Sequence, residues 1–202
     1  HLRRNNRNLH FRSPIAELAV YASYGFAKEQ VGKRYKLRGV KRGKFLTVNF
    51  YPLLGVSVFY FNPRGKYING KWYSLQPLGT EGEGLVPTRK PYSRVQVAIP
   101  IGIGFRYNLN RLFTLSVEYA VRKTFTDYID DVSLTYFDPE YIEAKKGPIA
   151  RYFSNPSNGS YIHTVPGQQR GDPTDNDSYM FMNISLNYKL VFRKSRRSRP
   201  KF

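Results

Sequence analysis

The chain has 202 residues, 41% of them hydrophobic, a formal net charge of +19 and no cysteine. Without cysteine there is neither a disulfide framework nor a thiolate metal site, and no apolar run approaches the roughly 18 to 20 residues that a membrane-spanning helix needs. Aromatic residues make up 16% of the chain, with 17 Tyr and 14 Phe against a single Trp, a balance expected where amphipathic rings gather at a membrane interface.

His1 to Arg12 holds four Arg and three Asn, with no initiator Met and no apolar leader, and reads as loop or the last part of an upstream hairpin in a mature or truncated form. The first strand follows, with Ala16, Leu18, Val20, Ala22, Tyr24 and Phe26 on one face and Glu17, Ala19, Tyr21, Ser23 and Gly25 on the other. Lys28 to Lys44 then carries eight basic residues against one Glu and reads as a turn facing an anionic surface or partner. A second strand, Phe45 to Asn62, places Leu46, Val48, Phe50, Leu54, Val56, Val58 and Tyr60 outward. Pro52 lacks a ladder donor and predicts a bulge or bend there. From Pro63 to Tyr92 the period is lost and a long loop is expected.

The clearest alternation comes next. Val95, Val97, Ile99, Ile101, Ile103, Phe105 and Tyr107 share one face, with Arg94, Gln96, Ala98, Pro100, Gly102, Gly104 and Arg106 opposite. After a turn of a few residues, Phe113, Leu115, Val117, Tyr119 and Val121 alternate with Thr114, Ser116, Glu118, Ala120 and Arg122. A second long loop, Thr126 to Asp177, precedes a last strand, Tyr179 to Phe192, in which Met180, Met182, Ile184, Leu186, Tyr188, Leu190 and Phe192 oppose Asn183, Ser185, Asn187 and Lys189. Six basic residues in ten close the chain, from Arg193 to Phe202.

Period two sustained over these lengths means strand, because successive side chains point to opposite faces. A strand needs about 9 to 11 tilted residues to cross a bilayer, and these reach it. Apolar residues on one face and charged or small residues on the other form the two-residue signature of a membrane barrel wall. The expected fold is therefore all-β, an antiparallel transmembrane β-barrel over residues 1–192, with long loops at 63–92 and 126–177 and a basic tail at 193–202. Five strands are visible, whereas single-chain barrels close with an even number from eight upwards. The expectation is eight strands when complete, with the sequence starting partway through the barrel.

A net charge of +19 also suits nucleic acid, but its distribution argues otherwise. Nine of the fourteen acidic residues lie between Asp127 and Asp177, while basic residues crowd 28–44 and 193–201. Topology sorts charge in this way. If the last strand descends to the periplasm, the two long loops lie outside the cell and the basic turn and tail inside. Lys28, Lys33, Arg34, Lys36, Arg38, Lys41, Arg42, Arg193, Lys194, Arg196 and Arg197 are then the candidates for contact with a periplasmic partner or with lipid headgroups.

Glu17, Arg94, Arg106, Glu118, Arg122 and Lys189 form a candidate charge network in the lumen, expected to pair internally in a narrow barrel filled by side chains. Asp127, Asp130, Asp131, Asp172, Asp175 and Asp177 do not match a calcium loop. They are expected to order the outer loop through Asx turns and salt bridges, with Arg122 and Lys123 at hand. No catalytic, metal or cofactor site emerges. His1, His10 and His163 lack a nucleophile at a recognisable spacing, and no Gly-x-Ser-x-Gly elbow is present.

The loops carry a resemblance. Arg7-Asn-Leu-His-Phe-Arg-Ser-Pro-Ile, Phe59-Tyr-Phe-Asn-Pro, Asn69-Gly-Lys-Trp-Tyr-Ser-Leu-Gln-Pro-Leu-Gly-Thr-Glu-Gly, Arg122-Lys-Thr-Phe-Thr-Asp-Tyr-Ile-Asp-Asp-Val-Ser, Gly171-Asp-Pro and Asn176-Asp-Ser-Tyr-Met-Phe resemble the PorG family. The family belongs to the type IX secretion system of Bacteroidetes. The resemblance implies a non-enzymatic outer-membrane barrel, embedded in outer-membrane lipids, that docks the periplasmic ring of the lipoprotein PorK with PorN and supports protein secretion beside other components of that system. The alternative is a small passive pore or a surface adhesin using the two long loops.

Overall fold

The computed structural model describes residues 8, 10–25, 48–109, 112–157 and 164–190. Among the described residues strand outweighs helix, 46% against 12%, and the main element is a curled antiparallel sheet forming a half-barrel. In chain order the strands are β1 (Phe11–Arg12), β2 (Ile15–Ser23), β3 (Val48–Phe61), β4 (Arg64–Lys66), β5 (Trp72–Ser74), β6 (Val95–Asn108), β7 (Phe113–Thr124) and β8 (Ser178–Tyr188), with helices α1 (Pro139–Lys146) and α2 (Pro148–Ser154) between the last two. The five long strands line up as β2-β3-β6-β7-β8, and β1-β4-β5 make a small second sheet. In the small sheet Phe11 lies opposite Gly65, and Gly65 opposite Tyr73.

The alternation read from the sequence appears as alternating exposure. Along β3, Phe50, Leu54, Val56, Val58 and Tyr60 are exposed while Asn49, Tyr51, Leu53, Ser57, Phe59 and Phe61 are buried. The phase holds unbroken through Pro52, so the expected bulge is absent. The Pro52 carbonyl accepts from the Tyr24 amide at 3.4 Å, just past the end of β2, so its missing N–H falls where the ladder runs out. β8 begins as expected but ends at Tyr188, short of Phe192.

The chain divides into two compact units. The first comprises His1–Val20, Gly55–Ile99 and Arg122–Tyr179. Its core is aromatic: Phe61 stacks on Tyr92, Tyr92 on Tyr128 at 4.5 Å, and Tyr179 meets Phe59 edge-on at 5.3 Å. The two segments expected as long loops are folded here, a difference from the sequence reading. The short sheet, a 3-10 turn at Gln76–Leu78 and both helices surround Leu75, Ile142, Ala150 and Phe153, all fully buried. Helix α1 forms because Asp138 caps it, accepting from the Glu140 amide at 3.0 Å. Pro139 fills its first turn, Lys145 and Lys146 its last, and Gly147 ends it at φ 88. Together these folded excursions make up a cap.

The second unit comprises Tyr21–Leu54, Pro100–Val121 and Met180–Phe202. Its inward residues Tyr51, Leu53, Thr114, Ser116 and Ala120 are buried, while Phe50, Leu54, Ile101, Ile103, Tyr107 and Tyr119 stay exposed on the other face. Ring pairs mark that outward face, Phe50 against Phe105 at 5.1 Å and Phe113 against Tyr188 at 5.3 Å.

Candidate functional site

The densest polar arrangement among the described residues lies inside the cap. The Gly-rich segment from Gly79 to Gly84 turns tightly, with Gly82 at φ 86, a backbone only glycine takes freely. The turn directs Glu81 inward, where its side chain is fully buried. Its Oε1 and Oε2 accept from the backbone amides of Ser133 and Leu134 at 3.1 and 2.8 Å. Arg170 pairs with Oε1 at 3.2 Å. Asp131, at φ 67, accepts from the Thr80 hydroxyl at 2.6 Å and from the Tyr92 hydroxyl at 2.5 Å. Arg170 also donates to Thr80 Oγ1, to the Asp131 carbonyl and to the Phe153 carbonyl. Arg89 donates to the carbonyls of Glu81 and Thr135 and lies over the Phe137 ring.

Glu81 and Asp131 are buried against one guanidinium, and burial sets their proton affinity. It pushes Asp131 up to about 7, despite the lowering effect of Arg170. Burial likewise raises Glu81, with Arg170 again opposing, and drives the Tyr92 hydroxyl far above its ordinary range. At the edge of the cluster, Asp127 and Asp177 rise to about 6, from burial first and from neighbouring carboxylates after it. Among the described residues, Glu83 Oε1 and Asp127 Oδ2 are buried without a hydrogen-bond partner. Asp130 and Asp172 serve local turns, accepting from the Val132 and Thr174 amides, while Asp177 accepts from the Ile129 amide 48 positions away. No group of three or more His, Asp or Glu is disposed to hold a metal among the described residues. The cluster's chemistry is that of a clamp, joining segments 79–92, 131–135 and 170.

Of the candidate lumen residues, Arg122 pairs with Glu17 at 3.2 Å, both side chains being 8% exposed. The Tyr51 hydroxyl donates to Glu118 Oε1 at 2.7 Å, and the Arg106 guanidinium lies 4.6 Å over the Tyr51 ring. Lys189 donates to Asn108 Oδ1 at 3.0 Å. Arg94 stands apart over the exposed Tyr60 ring at 5.6 Å. The partner-face candidates Lys28, Lys33, Arg34, Lys36, Arg38, Lys41, Arg42, Arg193, Lys194, Arg196 and Arg197 lie outside the described residues. Thr80, Glu81, Glu83, Tyr92 and Arg170 were not singled out from sequence, since they sit in stretches that lack a period.

The outward face is the other candidate surface. Leu18 and Val20 on β2 are 80% and 77% exposed, and Val56, Ile101, Ile103, Met182 and Ile184 continue the pattern on β3, β6 and β8. Soluble monomers rarely expose contiguous apolar surface beyond a few hundred Å². An open groove of about 500 Å³ beside Arg89, Leu134, Thr135 and Gln169 shares Arg89, Leu134 and Thr135 with the clamp.

An all-β chain with a barrel-like antiparallel sheet, and no helix among the described residues long and apolar enough to cross a membrane, is the class this fold defines. No protein-family model, curated protein or solved structure matches the chain.

Proposed function

We propose that this chain is an integral outer-membrane β-barrel protein that anchors the type IX secretion apparatus, docking the periplasmic PorK and PorN ring and so supporting secretion. The observation that carries the membrane part is the outward face of the five long strands. Aliphatic residues run along it, and Tyr24, Tyr107 and Tyr188 stand exposed at strand ends, as in the aromatic girdles of membrane barrels. The secretion part rests on the resemblance of the loop segments to the PorG family. The role is tethering: the barrel holds position in lipid while basic periplasmic segments meet the ring.

Co-purification from outer membranes tests the proposal, comparing the intact chain with one ending at Phe192 and probing for the ring lipoprotein after a high-salt wash. Recovery with the intact form alone places the contact on the tail, and recovery with both moves it to the turns. If a folded barrel brings down no ring in either form, tethering fails. The folded cap favours one second reading, surface recognition through residues 63–92 and 126–177. Binding to cells or matrix lost on deleting Gly70 to Gly84 would support it.

A further inference from the structure

We propose that the outer face of the small sheet β1-β4-β5, which carries His10, Arg12, Arg64 and Lys66, binds a lipid headgroup bearing more than one phosphate. The inference rests on the membrane reading above and concerns what the protein recognises where hydrocarbon ends. Every residue it uses belongs to the first compact unit. Register puts the four basic residues on one face, because cross-strand partners point the same way and so do residues two apart. Arg12 lies opposite Arg64 and Arg64 opposite Ser74. Lys66 lies opposite Trp72, and its amide donates to the His10 carbonyl at 3.0 Å. The other face of the sheet is the buried one: a methyl group added at Gly65 would run into Phe153 and Leu75. His10, Arg12 and Lys66 are exposed and Arg64 is half-buried.

The face holds no acid. Residues 10–16 and 62–80 contain neither Asp nor Glu, and the ion pairs among the described residues use Arg122, Arg151 and Arg170 instead. Neighbouring strands lie about 4.8 Å apart and alternate residues about 6.8 Å, so Arg12, Arg64 and Lys66 crowd three like charges together, with the His10 ring beside them. A single phosphodiester offers one charge against three, whereas a headgroup with two or more phosphates matches them. Arg12 lies 4.2 Å over the Trp72 ring, which holds its planar fork ready for a phosphate. Position selects a lipid as the source. Leu18 and Val20 on β2, and Val56, Val58 and Tyr60 on β3, are exposed apolar residues of the same unit. Arg64 follows Tyr60 by four residues and Arg12 precedes Ala16 by four, and between them the Asn62 amide donates to the Pro14 carbonyl at 3.3 Å. Four extended residues reach at most about 13 Å, so these cations stand at the border of the apolar face, where charged headgroups replace hydrocarbon.

Trp72 is the chain's single tryptophan, so its emission reports this face directly. The full chain, refolded in neutral-detergent micelles, is titrated with diphosphoryl lipid A, with phosphatidylglycerol and inorganic phosphate as comparisons and co-elution of the lipid as a second readout. The diphosphoryl lipid is expected to act at the lowest concentration. Arg12→Gln and Lys66→Gln should each raise its midpoint about fivefold, equivalent to about 1 kcal/mol per cation near a charged surface. Arg12→Lys keeps the charge but loses the fork, and should raise the midpoint as well, which simple attraction between charges would not do. A folded wild type that neither responds nor retains the lipid, equal midpoints with phosphatidylglycerol, or an unmoved midpoint in the Arg12→Gln, Lys66→Gln double variant would each overturn the proposal while leaving the membrane reading intact. A response to inorganic phosphate in the same range would assign the face to a soluble anion and overturn it likewise. Failure of the wild type to fold in any micelle or vesicle would instead remove the membrane reading, and this proposal with it.

Discussion

Arg170 and Glu81 meet at 3.2 Å with side chains 3% and 0% exposed, so each is the other's main defence against the cost of burial. Removing one partner of such a pair leaves an uncompensated charge and costs about 3–5 kcal/mol. Arg170→Met should therefore open the cap, with new protease cleavage in residues 126–177 at neutral pH while the long strands stay protected. Part of the loss should return in acid, where Glu81 takes up a proton.

The cap should be more stable in mild acid than at neutrality. Asp131 lies near 7 and Asp127 and Asp177 near 6 in the folded chain, against about 3.9 for an unfolded Asp. The folded cap thus holds protons that the unfolded segment releases. Stability from these groups is complete below about pH 4 and is lost as pH rises through about 6 to 7. Hydrogen exchange across 80–92 and 126–134, corrected for intrinsic rates, should be slower at pH 5 than at pH 8. Asp131→Asn, whose single amide oxygen can accept from only one of the Tyr92 and Thr80 hydroxyls, should lower the baseline stability but flatten the dependence.

A methyl group added at Gly104 would overlap the Tyr51 ring. That ring bears the hydroxyl bonded to Glu118 and carries Arg106 on its face. Gly104→Ala should displace all three and destabilise the barrel by about 1–3 kcal/mol, as overpacking does. Comparing its urea midpoint in detergent micelles with that of the wild type checks this. An unchanged midpoint would mean the ring can move aside freely.

Ile101→Arg separates lipid from water as the surroundings of the outward face. Ile101 sits midway along β6 with half its surface exposed. Facing hydrocarbon, the substitution should cost about 2–4 kcal/mol in vesicles. Facing water, it should change stability by no more than about 0.5 kcal/mol. Equilibrium unfolding from vesicles gives the figure directly.

The long strands were legible because one physical rule, alternation, governs Val95 to Tyr107 and Phe113 to Val121 without help from distant sequence. The helix α1 was legible too, in Asp138-Pro139 at its start and Gly147 at its end, yet it lay in a stretch read as loop because its apolar face is narrow. The clamp was not legible. Thr80 finds Asp131 and Arg170 finds Thr80 across 51 and 90 positions, and nothing local in Gly79-Thr-Glu-Gly-Glu-Gly distinguishes a buried Glu81 from a solvated one. The same holds for Glu17 and Arg122, 105 positions apart, whose face could be assigned but not their pairing.

The order β2-β3-β6-β7-β8 has a consequence of parity. Five antiparallel strands leave β2 and β8, at the two edges, running in the same direction. Two copies with the same orientation in one membrane, placed edge to edge, would set β8 of one parallel to β2 of the other, breaking the antiparallel rule at both seams. Turning one copy over would restore it only by sending the caps to opposite sides of the bilayer. A seamless closure of this sheet therefore takes an odd number of additional strands, and three of them bring the total to eight.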